Sequence, residues 1–234
     1  MLLNDDFSSI VEAVRTGRRI FDNLKKAMAY IIGVHLPIAG AALIPVIFGW
    51  PIILYPAHIV FLEVIIDPAC SVVFEAEPAE QNIMKRPPRR PSESLFGRKL
   101  LLLSVLQGVF SLLVVISVFK ISLMLGQGEE GARTLAFVTL IVSNLCLILT
   151  NRSWSRSILF SFSVSNKALM NVMVGVVAFL CLVIYVPSLQ RMFHFGSMHL
   201  NDFVICLASG VLSVSWFEGA KVLFNRRRID LLKA

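Results

Sequence analysis

The sequence contains little charge: only 16% of its 234 residues are Asp, Glu, Lys or Arg, whereas apolar residues make up 56%. A soluble domain of this length needs a charged surface, so this composition excludes an ordinary soluble protein. The apolar residues occur in runs of about 20, the length that a helix needs to cross a bilayer core of roughly 30 Å. The sequence therefore predicts an integral membrane protein.

Cysteine is also scarce: the four cysteines lie inside apolar runs and form no CxxC or CxC pair. This pattern argues against a disulfide framework or a thiolate metal site. No Ser-His-Asp arrangement, phosphate-binding loop or zinc motif is present. The net charge of +7 comes from short basic clusters between apolar runs, without the aromatic residues that accompany basic residues in nucleic-acid binding. We therefore expect membrane lipid, and no nucleic acid, as a partner.

The predicted fold class is all-α, a polytopic membrane bundle. Residues 1–27 form an amphipathic stalk helix that runs straight into the first span, and residues 28–234 form a six-helix transport domain with a loop at 75–99 and a basic tail. Basic and weakly charged connections alternate, which places both termini in the cytosol; the plasma membrane is the expected location. We place the spans at about residues 28–49, 52–74, 100–125, 134–150, 168–189 and 202–224.

The second span contains two acidic residues that a lipid environment disfavours. Glu63 and Asp67 are four residues apart, so they lie on one helical face about 6 Å from each other. Each carboxylate costs roughly 2.5–3.5 kcal/mol at mid-membrane, and the pair costs more unless a cation or proton lies between them. Alternatively, headgroups solvate the pair at a helix end. Because Glu63 lies near the middle of the apolar run, we favour a cation site in a protein-lined cavity.

Prolines occur beside these positions in both of the first two spans. Pro68 lacks the N–H that would bond to the Val64 carbonyl, and Pro37 leaves the Gly33 carbonyl in the same way. Carboxylates together with freed carbonyls form a hard-oxygen site suited to Ca²⁺, Mg²⁺, Mn²⁺ or a proton. Transporters commonly build mid-membrane sites from such interrupted helices.

Two further polar residues are candidate ligands. His35 is either a ligand, a proton-carrying partner of Glu63 or Asp67, or a neutral packing residue. The short Gly49–Pro51 connection makes the first two spans antiparallel neighbours, so His35 can meet the two acids. Asn144 in the fourth span is either a ligand or a residue that joins helices by hydrogen bonds.

Three other features have structural interpretations. Glu218 and Lys221, three residues apart in the sixth span, are expected to pair. Lys120 is expected to extend from the third span to its outer edge. The small residues Ser104, Gly108 and Ser111 form a stripe suited to helix packing.

Several motifs point to a family. The segments LLNDDFSSI (residues 2–10) and GRRIFDNLKK (17–26) resemble the stalk that leads into the fifth membrane helix of P-type ATPases. The segments EP (77–78) and IMKRPPR (83–89) resemble the loop after the sixth helix of these enzymes. Over nearly its whole length the chain is similar to helices five to ten of the type II, calcium-pump-like enzymes.

The resemblance implies a cation-binding set at the matching positions: His35 in helix five, Glu63 and Asp67 in helix six, and Asn144 in helix eight. Only the Asp is retained from the calcium-pump pattern, which has Asn and then Glu where this chain has His35 and Ile38. The calcium-pump pattern also has Asn where this chain has Glu63, and Glu where this chain has Asn144. A single divalent ion, or one exchanged for protons through His35, fits the changed set at least as well as calcium does.

The resemblance also indicates what this chain does not contain. The DKTG segment with the phosphorylated Asp, the TGE loop, the nucleotide domain and helices one to four are absent from the sequence. The chain is thus expected to be a truncated or split gene product or a fragment that works with those parts, through which ATP and Mg²⁺ act. Alone it is expected to hydrolyse no ATP. The alternatives are a stand-alone cation carrier or channel and an inactive remnant.

Overall fold

A computed structural model describes residues 7–80, 82–88, 97–153, 158 and 166–226, and these residues contain helices and connections but no strand. Residues 1–6, 89–96 and 227–234 of the predicted stalk, loop and tail lie outside the described residues. The helices are α1 (Phe7–Phe48), α2 (Pro56–Pro68), a π-turn (Ala69–Val73), a 3₁₀ turn (Ile83–Lys85), α3 (Arg98–Met124), α4 (Gly128–Asn151), α5 (Lys167–Tyr185), α6 (Pro187–Met192) and α7 (Leu200–Arg226).

Six of these helical stretches are long and apolar enough to cross a membrane. They coincide with the six predicted spans, although α1 begins well before its membrane part and α5 ends before residue 189. The predicted all-helical bundle is confirmed, and the chain is an integral membrane protein. Helix α4 lies at the centre, because 94% of its apolar window is buried, compared with 28% for each of α3, α5 and α7.

Helix α1 is one continuous helix of 42 residues, as expected for a stalk that runs into the first span. The predicted interruption at Pro37 is wrong, because Pro37 lies inside the unbroken helix. Helix α3 packs closely at this point: the Gly33 carbonyl, which Pro37 deprives of its donor, lies against Gly108, where an added Cβ would be only 2.9 Å from that oxygen. The backbones of α1 and α3 are therefore in direct contact at this point.

The small-residue stripe of α3 forms this contact. Ser104, Gly108 and Ser111 are all buried, and a Cβ at Gly108 would also lie 2.8 Å from the Cβ of Leu36. Small side chains let two membrane helices approach closely. The predicted packing role of the stripe is confirmed.

Substituting Gly108 by Ala is expected to destabilise the bundle by about 1–3 kcal/mol, because the methyl group would force α1 and α3 apart. Gly175 in α5 is the matched control, since nothing lies within 4 Å of its Cβ position. The same change there is expected to be neutral or stabilising by up to about 1 kcal/mol. Reversible unfolding in SDS, followed by tryptophan fluorescence, measures both. Equal free energies of unfolding for the two variants would contradict the close contact.

The two ends of the bundle are fastened differently. One end of the bundle, called here the basic end, contains the first half of α1, residues 74–80 and 82–88, and the end of α4. The other, called the opposite end, contains residues 49–55, 125–133 and 186–196. At the opposite end the buried guanidinium of Arg133 donates to the carbonyls of Ile52 and His194, both at 2.9 Å. Arg133 therefore ties the connection before α2 to the one after α6.

His58 fixes the beginning of α2 at this opposite end. Its Nδ1 accepts the backbone N–H of Tyr55 at 2.9 Å, so its Nε2 is the protonated nitrogen and donates to the Phe193 carbonyl at 2.8 Å. The ring is fully buried. Nearby, Lys120 reaches the edge of the bundle and lies 4.1 Å from the centre of the Trp50 ring, as expected for a lysine that extends out of its span.

Candidate cation site

Helix α2 presents its two acidic side chains at the surface of the described residues. The Glu63 side chain is 42% exposed, and Asp67 is exposed. Within the described ranges no three His, Cys, Asp or Glu side chains converge on a position that could hold a metal ion. The protein-lined cavity expected from the sequence is therefore not formed by these residues alone.

His35 lies beside Glu63. The distance between its Nε2 and the Glu63 Oε1 is 3.7 Å, so the expected meeting of the first two spans occurs. The other ring nitrogen, Nδ1, is 2.8 Å from the Ile31 carbonyl. A carbonyl only accepts, so Nδ1 bears the proton and donates it. In the neutral ring this leaves Nε2 without a proton, as a histidine nitrogen must be to bind a metal ion.

The backbone becomes irregular immediately after Asp67. Helix α2 ends at Pro68 and continues as the π-turn, in which the Phe74 N–H reaches the Ala69 carbonyl at 3.3 Å. The hydroxyl of Ser71 within this turn donates to the Asp67 carbonyl at 2.7 Å. Pro68 thus perturbs the helix, as predicted, but by a widened turn instead of an unwound segment. Such π-turns are rare and are found frequently at functional sites.

Asn144 lies in the core of the bundle, away from this surface. Its side chain is fully buried, and neither its amide oxygen nor its amide nitrogen has a hydrogen-bond partner among the described residues. Buried amides without partners are uncommon and call for an explanation, such as a bound ion or water. The structure brings His35 and Glu63 together but does not bring Asn144 into contact with them.

A second polar cluster lies at the basic end, and the sequence does not indicate it. The carboxylate of Glu77 accepts from Arg152 Nε at 2.8 Å and from Asn166 Nδ2 at 3.0 Å, while its carbonyl accepts from Asn23 Nδ2 at 2.8 Å. Arg152 is 1% exposed and the Glu77 side chain 8% exposed. From the sequence Arg152 is simply one of the loop charges that favour the cytosolic side, whereas the structure buries it in an ion pair.

Residues 82–88 are fastened to α1 by charged groups of both signs. The Arg86 guanidinium contacts Asp22 at 2.6 Å and Glu80 at 3.2 Å, and Glu80 also lies 3.1 Å from the buried ammonium of Lys26. Arg18 donates to two carbonyls of the same connection, Ile83 and Arg86, both at 2.8 Å. The motif residues at 17–26 and 83–86 therefore bind each other.

The predicted pair in the last span is confirmed. Lys221 Nζ lies 2.7 Å from Glu218 Oε1. It also donates to the carbonyls of Thr150 at 2.5 Å and Ser153 at 2.8 Å. A cation that bonds to the last carbonyls of a helix stabilises its C-terminus, so Lys221 caps α4 and joins it to α7.

Comparison with known proteins identifies the family to which this arrangement belongs. The family model described as "Cation transporting ATPase, C-terminus" matches residues 51–223, which is most of the chain and includes Glu63, Asp67 and Asn144. The chain belongs to the cation-transporting ATPase family. It corresponds to the C-terminal membrane region of these P-type enzymes, and the resemblance seen in the motifs is confirmed.

Individual relatives of this cation-transporting ATPase family extend the match to nearly the whole chain. The chain is 26% identical to a calcium-transporting ATPase of Bacillus subtilis over 97% of its own length and 25% of the relative. It is 29% identical to calcium-transporting ATPase 1 of Bacillus cereus, over 89% of the chain and 25% of the relative. The mouse calcium-transporting ATPase type 2C member 1 is 24% identical over 92% of the chain. The chain spans about a quarter of the length of these relatives.

Proposed function

We propose that this chain is the part of a P-type ATPase that holds the transported cation within the membrane. The ion is a hard divalent cation (Ca²⁺, Mg²⁺ or Mn²⁺), and its ligands come from His35, Glu63, Asp67 and Asn144. The observation that supports this most directly is the His35–Glu63 pair, in which an imidazole nitrogen and a carboxylate oxygen lie 3.7 Å apart on two membrane helices.

The cost of exposing these groups to lipid supports the proposal. His35 and Glu63 have side chains that are 49% and 42% exposed, and Asp67 is exposed as well. An acidic group facing acyl chains costs roughly 2.5–3.5 kcal/mol, so this face of α1 and α2 needs cover. We propose that further membrane helices of the same pump cover it and complete the cavity, while lipid covers the apolar faces of α3, α5 and α7. The greater length of the relatives is consistent with such helices.

The donor types suggest how the ion is chosen. Carboxylate and amide oxygens suit Ca²⁺, Mg²⁺ and Mn²⁺ alike, but an imidazole nitrogen favours Mn²⁺ among them. Asn144, which lies in the core away from His35 and Glu63, would contribute its buried amide oxygen only after α4 and α2 move relative to each other; this oxygen has no hydrogen-bond partner among the described residues. His35 also offers a place for a proton when the ion leaves, so exchange of the cation for protons is part of the proposal.

We further propose an orientation and a division into domains. The basic end of the bundle and both termini lie in the cytosol, as the distribution of Lys and Arg between connections favours. The membrane that the bundle spans is the plasma membrane. Residues 1–27 act as the stalk and 28–234 as the transport domain. Phosphorylation by ATP, with its Mg²⁺, takes place on domains outside this chain.

A chimera tests the proposal. The chain replaces the matched C-terminal quarter of the Bacillus subtilis calcium-transporting ATPase, and ATP hydrolysis is measured at constant Mg²⁺ while Ca²⁺ or Mn²⁺ is varied. We expect stimulation by one of these cations in the chimera and none in either part alone, with the intact relative as positive control. Cation flux into liposomes containing only the 234-residue chain, without ATP, would instead indicate a stand-alone carrier.

A further inference from the structure

The carbonyl at the end of the π-turn after Asp67 is satisfied by a side chain that is distant in the chain. In a regular α-helix the Val73 carbonyl would accept the N–H of Glu77, but that N–H bonds to the Phe74 carbonyl at 3.3 Å. Asn166 Nδ2 takes its place and donates to the Val73 carbonyl at 3.1 Å. The same nitrogen lies 3.0 Å from the Glu77 carboxylate. The residue that caps the N-terminus of α5 thus also caps the C-terminal end of the π-turn.

Glu77 is in turn held in place from two other helices. Arg152 at the end of α4 bonds to its carboxylate, and Asn23 of α1 bonds to its carbonyl. The side chains of Arg152 and Glu77 are both almost completely buried. Removing one partner of a buried ion pair leaves the other charge uncompensated, so the position of Glu77 is tightly constrained.

We propose that Glu77 and Asn166 are positioning residues for the cation site: together they hold the π-turn and thereby set where Asp67 stands relative to Glu63 and His35. A π-turn contains one residue more than an α-turn. If the turn relaxed to α-helix, one side of it would rotate by about 100°, the rotation per residue of an α-helix. Because Glu77 is anchored on one side of the turn and His58 at the beginning of α2 on the other, this change would displace the segment between them, which includes Asp67. The consequence for cation binding rests on the proposed function; the holding of the turn does not.

Amide hydrogen exchange on the 234-residue chain in lipid nanodiscs tests the structural part. The variant Asn166→Ser removes both donated hydrogen bonds but keeps a residue that caps α5 well, where the Asn166 Oδ1 now accepts the Leu169 N–H at 3.1 Å. Glu77→Gln removes the charge. Glu75→Gln is the matched control, because Glu75 is exposed and has no ion pair with another described residue. We expect exchange in residues 69–77 to quicken about tenfold or more in the first two variants only.

Cation affinity provides the readout that a purely structural role would not move. With both substitutions placed separately in the chimeric pump, and with Mn²⁺ as the probe detected by electron paramagnetic resonance, each variant is expected to bind about 10–100-fold more weakly, as is usual when a residue that orients a ligand is lost. Unchanged exchange in residues 69–77 overturns the inference, as does faster exchange spread equally over α3, α4 and α7. Absence of Mn²⁺ binding to the unmodified chimeric pump counts against the proposed cation site, while the exchange data still decide whether the turn is held.

Discussion

Substituting Glu63 by Gln in the chimeric pump is expected to lower the apparent affinity for the stimulating cation by more than about 100-fold, which at ordinary concentrations abolishes stimulated ATP hydrolysis. Gln keeps the size of the side chain but removes its negative charge, and the charge of the ligands largely determines the affinity of a divalent site. The loss should exceed the 10–100-fold typical of residues that only orient a ligand. Asp67→Asn is expected to act in the same direction.

The exposed Glu75 provides the control for this experiment, because Glu75→Gln makes the same chemical change a few turns away. It should leave the activity unchanged. Glu63→Gln itself should not impair folding, since a neutral amide at this depth costs less than a carboxylate. A Glu63→Gln chimera that is stimulated at the original cation concentration would contradict the assignment of Glu63 as a ligand.

Substituting Arg133 by Met is expected to destabilise the chain by about 3 kcal/mol or more. Arg133 is 3% exposed and makes charge-assisted hydrogen bonds to the Ile52 and His194 carbonyls, each worth roughly 1.5–3 kcal/mol. Met fills a similar volume but leaves both carbonyls without their donor. For a chain of this size the loss corresponds to a decrease in Tm of roughly 6–12 °C, measurable by tryptophan fluorescence in nanodiscs.

Arg191 allows a matched comparison at the same end of the bundle. It is exposed, and among the described residues its Nε bonds only to the Pro187 carbonyl four residues earlier, at 3.2 Å. Arg191→Met should therefore change Tm by no more than about 1–2 °C, since surface substitutions rarely exceed 0.5 kcal/mol. If the two variants had the same Tm, Arg133 would not be joining the two connections in the way that the distances indicate.

The parts of the fold that the sequence predicts are those that a bilayer imposes. A span must be about 20 apolar residues long, so the ends of α3 and α7 could be placed within a few residues. The meeting of His35 with Glu63 was also predictable, because the connection expected at 49–51, which spans 49–55 in the structure, is too short to separate α1 from α2. In both cases the constraint is local in the chain: it is the length of one span, or a short connection between two consecutive spans.

Contacts between distant residues could not be predicted in this way. Arg152 and Glu77 are 75 residues apart, and a basic residue after an apolar span looks the same whether it serves topology or a buried ion pair. Pro37 was expected to break its helix, but α1 continues through both Pro37 and Pro45. The sequence around Asn166 likewise gives no sign that its side chain bonds to the Val73 carbonyl at the end of the π-turn. That contact depends on where α5 begins in space.

The central claim is that Glu63 and Asp67 hold a divalent cation inside the membrane. The most direct test is the binding of Mn²⁺ to the chimeric pump in nanodiscs, with the free ion counted by electron paramagnetic resonance. We expect saturable binding in the unmodified chimera, its loss in both Glu63→Gln and Asp67→Asn, and no change in Glu75→Gln. Saturable binding that survives in the Glu63→Gln, Asp67→Asn double variant would show that the ion is held elsewhere.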